Sequence, residues 1–215
     1  MAGEKKYLSA TGVDEFHYGI LNAGGTGIVA AAPERVEFLQ DIEVAMSSEI
    51  TRAYGDNKVA ELGVSHGAVG VSGNFHKIPE TDKNALLGLE TSSGGLLSAH
   101  GSADNPPYVA VIFAKTYEDG STEYVGLPKG KFLKTSIKGT SKQGNTTFSQ
   151  DAISAEFMDR AVAGFDKQKS VVVGADDAAA TTKRDAIFLA IFGVPYPVTT
   201  TTTTEEETTT TTTGV

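Results

Sequence analysis

A mainly β chain, an antiparallel sandwich or barrel with one or two short flanking helices, is the fold class this sequence predicts. Three observations predict it. The apolar segments are of strand length, and several alternate with period two. Turns rich in Gly, Asp, Asn and Pro separate them at close intervals. Few of the segments are arranged as strand–helix–strand repeats, which argues against a parallel sheet.

Residues 1–13 read as a flexible arm, 14–198 as one β-domain and 199–215 as a low-complexity tail. Phe16–Leu21 is the first expected strand, closed by the loop Asn22–Gly27. Glu34–Met46 alternates in parts, with a phase change near Leu39-Gln40 that predicts a bend or bulge. Glu49–Tyr54 and Lys58–Leu62 flank Gly55-Asp56-Asn57 as a polar hairpin; few of its residues are apolar, so it is expected to project from the body. Ala68–Phe75 places Val69, Val71, Gly73 and Phe75 on one face. Pro79–Asp82 opens a short helix through Leu87, with Gly88 as its stop. Thr91–Asn105 reads as a loop.

The clearest hairpin is Pro106–Phe132. Tyr108–Ala114 is an unbroken apolar run, and Asp119-Gly120 is expected to supply the positive φ angles of a tight turn into Thr122–Leu127. Asn145–Phe157 is a further strand, interrupted, with Ile153, Ala155 and Phe157 at period two. Ser170–Val173 is a short one. The last ordered element reads as a helix: Thr182–Asp185 has capping-box spacing, Ile187, Phe188 and Ile191 share a stripe, and Gly193 with Pro195 ends it. A buried strand is the rival reading of Ala186–Phe192. From Thr199 onward, two runs of Thr around Glu205–Glu207 offer no apolar partner to offset the entropy of ordering, so disorder or a linker is expected.

Composition bounds the chemistry. The chain is 40% hydrophobic and 21% charged, ordinary for a soluble fold with a sizeable core. With 0 Cys it has no disulfide, thiolate metal site or Cys nucleophile. No apolar run approaches the roughly 20 residues needed to span a bilayer, and the first residues lack a signal-peptide core, so no membrane association and no export signal are expected. The net charge of −9 opposes nucleic-acid affinity. That charge is uneven. Residues 34–61 carry Glu34, Glu37, Asp41, Glu43, Glu49, Asp56 and Glu61 against Arg35, Arg52 and Lys58, whereas 129–142 carry Lys129, Lys131, Lys134, Lys138 and Lys142 with no acid. Two solvated faces would account for this; so would one copy's acidic patch meeting another's basic one.

Catalytic patterns fail on context. Gly63-Val64-Ser65-His66-Gly67 matches a nucleophile elbow, with Asp82 and His100 following in triad order, but a glycine-broken, β-branched stretch stands where the helix is required. Gly25-Thr26-Gly27-Ile28-Val29-Ala30 matches a dinucleotide fingerprint, but Pro33 cuts short the helix it needs. His17, His66, His76 and His100 have no zinc-pair spacing. The residues therefore point to no enzyme, no cofactor and no metal.

Four segments carry a resemblance: Val13-Asp14-Glu15-Phe16-His17-Tyr18-Gly19, Leu86-Leu87-Gly88, Tyr124–Phe132 and Ile191-Phe192-Gly193-Val194-Pro195-Tyr196-Pro197. In order and spacing over residues 12–197 the chain resembles the major tail proteins of long-tailed, non-contractile bacteriophages. It departs from them in having 0 Trp, where these proteins often carry an aromatic-rich strand in their last third. The resemblance implies a tail-tube β-sandwich subunit that assembles with itself, typically into six-fold rings stacked into a tube. It implies a tape-measure protein, tail-terminator and distal tail proteins as partners. DNA would pass without specific binding, and the subunit would belong to the virion tail after assembly in the host bacterial cytoplasm. A protruding hairpin and an N-terminal arm bridge subunits in such proteins; some continue into an immunoglobulin-like domain, for which the Thr-rich end would be a linker. The candidate interface residues are Arg52, Tyr54, Asp56, Lys58, Glu61, Lys129 and Lys131. The alternatives are a tube or connector subunit of a contractile tail or secretion system and, in a different class, a β-sandwich carbohydrate-binding module, although paired exposed aromatics are not evident in the sequence.

Overall fold

The structure, a computed structural model, describes residues 7–137, 139, 141 and 148–197. Residues 1–6 of the expected arm, Lys138 and Lys142 of the basic stretch, Asn145–Thr147 of the expected strand and the whole Thr-rich tail lie outside them.

The centre is the apolar run the sequence singles out. It forms β7 (Val109–Tyr117), hydrogen-bonded on one side to β1 (Ala10–Ile20) and on the other to β8 (Thr122–Leu133). Its side chains alternate between two cores. Val109, Val111 and Phe113 enter one, while Ala110, Ile112 and Ala114 enter the other. Burial on both faces explains why the run does not alternate in polarity.

The turn after β7 differs from the expectation. Gly120 N donates to Tyr117 O (3.0 Å) and Tyr117 N to Ser121 O (3.1 Å). Only Gly120 has positive φ (77°), and the Asp119 carboxylate instead accepts from Ser121 N (3.0 Å). This is a three-residue loop whose last residue is left-handed, so one positive φ suffices. The return strand also runs on past Leu127, through Pro128. The register moves from Val111 opposite Leu127 to Val109 opposite Gly130, and a proline, with no N–H to donate, is tolerated at such an irregularity.

The main sheet has the order β2 (Glu34–Val36), β1, β7, β8, β9 (Asp151–Phe157), β4 (Lys58–Phe75), β3 (Leu39–Gly55), with β10 (Val172–Asp176) also on β8. All the pairs are antiparallel. β8 shares one edge between two neighbours: Thr122–Gly126 pairs with β10, and Gly130–Leu133 pairs with β9. The sheet turns there and folds over itself as a sandwich. Phe16 and Val36 from one wing meet Val69, Val71, Phe75, Ala155 and Phe157 from the other in a single core. β2 and β3 stay unjoined at its ends, so the barrel alternative is not realised. Outside this sheet, β5 (Glu90–Thr91) and β6 (Ser98–Ala99) make a two-strand ladder within the expected 91–105 loop.

β1 starts at Ala10, earlier than the expected strand and within the stretch read as an arm. The phase change near Leu39-Gln40 corresponds to a break between β2 and β3 and to a register shift between Leu39 and Asp41. Leu39–Met46, Ala68–Phe75 and the polar hairpin, read as separate segments, are parts of one long pair, β3 with β4. Asp151 opens β9 later than expected, and β10 lies two residues beyond its expected start.

Helix α1 (Glu80–Leu87) ends at left-handed Gly88 (φ 61°), and the Tyr18 hydroxyl ties it to β1 by donating to Asp82 (2.8 Å). Helix α2 (Thr182–Phe192) ends at left-handed Gly193 (φ 75°) and covers the second core with Ile187, Phe188, Ile191 and Phe192. The strand reading of Ala186–Phe192 is thereby overturned. The capping-box reading is corrected as well: Thr181 is the N-cap and makes no side-chain cap bond. The cap comes from buried Asp176 on β10, whose carboxylate accepts from Lys183 N (3.0 Å) and Arg184 N (2.8 Å). At the other end, buried Arg160 donates to Ala190 O (3.2 Å) and Ile191 O (2.7 Å), satisfying last-turn carbonyls. Asp176→Ala is expected to cost about 1–2 kcal/mol through the lost cap, measured as a shift in the denaturant midpoint.

Candidate functional site

The projection of the polar hairpin has a structural cause. β9 ends at Phe157, opposite Val69, so β4 from Lys58 to Ala68 has β3 as its sole neighbour. At that boundary the register skips from Met46–Val69 to Ser48–His66. β4 thus carries one more residue than β3, a bulge that bends and re-aims the ribbon. Gly67 sits in it, where a Cβ would strike the Ser47 hydroxyl. The tip turns through Asp56 (φ 49°) and Asn57 (φ 59°), two residue types that tolerate the left-handed region.

Register sorts the ribbon into two unlike faces. Ile50 lies opposite Val64, Arg52 opposite Leu62 and Tyr54 opposite Val59, and opposed residues share a face. With Met46 at the root, this face carries six apolar side chains, each 49–70% exposed. The other face pairs Glu49 with Ser65, Thr51 with Gly63 and Ala53 with Glu61. It continues at the root as Ala45 opposite Gly70, Glu43 opposite Ser72 and Asp41 opposite Asn74, so it is small, polar and acidic. The few apolar residues of the ribbon are thus gathered on one side.

The edges are open too. Among the described residues β3 pairs along its length with β4 alone, leaving its outer backbone groups without a strand. Among the described residues, β1 from Ala10 to Asp14 has β7 on one side and no strand on the other, because β2 reaches only Phe16–Tyr18. Long unpaired edges template pairing with another chain, and a contiguous exposed apolar face marks a contact surface.

The seven candidate residues fall into two groups. Arg52, Tyr54, Asp56, Lys58 and Glu61 are together on the ribbon, all exposed. Lys129 and Lys131 are half-buried on β8, their ammonium groups 4.4 and 4.7 Å from the centre of the Tyr108 ring. Lys131 also donates to Asn105 (2.9 Å). Lys134 pairs with Asp104 (2.8 Å). Within one chain the ribbon's charges and these lysines form no ion pair with each other among the described residues. Gly130, Phe157, Val69 and Met46 form one row across four strands, so Lys129 and Lys131 flank the row beyond which the ribbon leaves the sheet.

The motifs that mimic active sites are built otherwise. Ser65 lies in mid-strand with its hydroxyl donating to Glu49 O (3.4 Å), and Asp82 is engaged by Tyr18. Gly25 takes a positive φ (65°) in a turn, and no helix follows it. Among the described residues no cluster of His, Asp and Glu is arranged to hold a metal, and no helix is long and apolar enough to cross a membrane. Exposed aromatics do pair, contrary to expectation. Phe38, at positive φ (63°), approaches His76 at 6.4 Å, and His76 approaches Phe148 at 5.6 Å. These rings meet edge to face and so present no common flat platform.

A search of curated proteins finds no match. The family model described as phage tail tube protein matches residues 24–194, which takes in the ribbon, both helices and most of the sheet. With a match over that much of its length, the chain belongs to the phage tail tube protein family.

Proposed function

We propose that this protein is a structural, non-enzymatic subunit that assembles with copies of itself into rings, typically of six, stacked as the tube of a phage tail. The observation that carries the reading is the ribbon: a two-stranded projection with one apolar face exposed and its outer edges unpaired. An isolated two-stranded hairpin is marginal in water, so this one is suited to burial against neighbours. Edge pairing between the outer edge of β3 in one copy and Ala10–Asp14 of β1 in the next would continue the sheet from subunit to subunit.

The small acidic face of β3 and β4 is suited to line the bore. Asp41, Glu49 and Glu61 would repel phosphate there, allowing the genome to pass without sticking. The tube would enclose a tape-measure protein and meet tail-terminator and distal tail proteins at its ends. Assembly would take place in the host cytoplasm.

Negative-stain microscopy over a concentration series tests this. Rings or tubes should appear as concentration rises, since assembly follows mass action. A protein that stays monomeric at every concentration, and binds glycan, would overturn the reading in favour of a carbohydrate-binding module.

A further inference from the structure

A groove of about 360 Å³ lies at the root of the ribbon. Val44 and Met46 of β3 form one wall, Val171 and Val173 the other, and buried Phe113 and Val125 form the floor. The groove exists because β8 changes partner near Pro128. β10 follows its first half and β9 its second, so the outer edges of β10 and β3 have no strand bridging them. Three charged residues stand on the rim. Lys115 and Glu123 neutralise each other at 3.2 Å, which leaves Glu43 without an ion pair among the described residues.

The far end of the same ribbon carries the matching apolar character and the opposite charge. Tyr54 is 70% exposed at the tip, with Val59 across from it and Arg52 on the same face. Tyr54 lies eight residues along the strand from Met46, a span of about 27 Å. The ladder between β3 and β4 keeps the tip from folding back to its own root. An occupant of this type must come from another copy.

We infer that the ribbon tip of one copy docks in the root groove of the next, with Tyr54 seated over Phe113 and Val125 and Arg52 facing Glu43. This rests on the tube-subunit reading and names the contact by which it works. Aromatic and arginine side chains in desolvated pockets are the usual anchors of such contacts. The contact is head-to-tail: each copy offers one tip and one groove, so it propagates until the rotation closes a ring.

The 0 Cys background makes the test direct. Val59→Cys and Val173→Cys are combined in one chain and oxidised under conditions where the wild type assembles. Both positions are about half exposed, so the melting temperature should stay unchanged. A ladder of covalent oligomers well beyond dimer, collapsed by reductant, is expected from the double variant, whereas either single variant can give at most a dimer. If the double variant assembles by microscopy yet cross-links no further than the single ones, the docking assignment is overturned and the tube reading stands. If the wild type never assembles at any concentration, both fall.

Discussion

Deleting Glu49–Leu62 is expected to abolish tube and ring formation while leaving the domain folded. The deletion leaves Gly63-Val64-Ser65 between Ser48 and His66, which already face each other in the ladder. A three-residue loop containing Gly closes such a hairpin well. None of the removed residues belongs to either core. The melting temperature should therefore move by no more than about 4 °C, equivalent to roughly 1 kcal/mol for a chain of this size. Assembly should respond quite differently, because the deletion removes four of the six apolar residues on the exposed face and most of the open β3 edge beyond the body. Sedimentation velocity and negative-stain microscopy of both proteins, at concentrations where the wild type polymerises, read the result. Unimpaired polymerisation of a folded deletion variant would remove the ribbon from the assembly interface. An unfolded variant would show that the ribbon supports the body, contrary to its exposure.

What was legible in the sequence follows from how local each signal is. β7 announces itself because a strand buried on both faces must be apolar at every position. The Gly88 and Gly193 stops are legible because a left-handed residue at a helix end strongly favours glycine. The ribbon's tip is legible for a similar reason, through Asp56 and Asn57. Its apolar face was not. Ile50, Tyr54, Val59, Leu62 and Val64 are spread over both sides of the turn, and only the register brings them to one face. An exposed apolar face and a core-facing one also have the same alternation, so nothing in the strand itself says which is solvated. The cap of α2 was missed because Asp176 reaches it from the preceding strand, where a pattern confined to residues 182–185 cannot see it. Pro128 reads as a strand end, and it takes a third dimension to make it the place where β8 exchanges one neighbour for another. The groove is a product of that exchange and has no signature in sequence at all.

Lowering the pH from 7 to 4.5 is expected to cost the fold roughly 2–3 kcal/mol through one residue, His17. The side chain is 2% exposed on β1, where a register shift between Asp14 and His17 leaves Glu15 at positive φ (53°). Nδ1–H donates to Glu15 O (2.9 Å), and the ring packs edge-on against Phe188 of α2 and Tyr196 beyond it. Burial lowers its pKa to about 4; the Glu15 carbonyl works against that shift, Arg35 reinforces it and Asp14 opposes it. The direction sets the sign. In the unfolded chain His17 takes up a proton near its ordinary value of 6.5, and in the folded chain only near 4. Between those values the unfolded state binds more protons, so the contribution is complete above pH 6.5 and falls away as pH drops toward 4. Carboxylates titrate in the lower part of this window too, which is why the comparison must be with His17→Phe, a ring of similar shape that cannot charge. Denaturant unfolding of both proteins at pH 7 and 4.5 separates the terms: the wild type should lose roughly 2–3 kcal/mol more than the variant. Equal losses would mean that the imidazole accepts its proton in place, with the α2 contact opening to let water reach it.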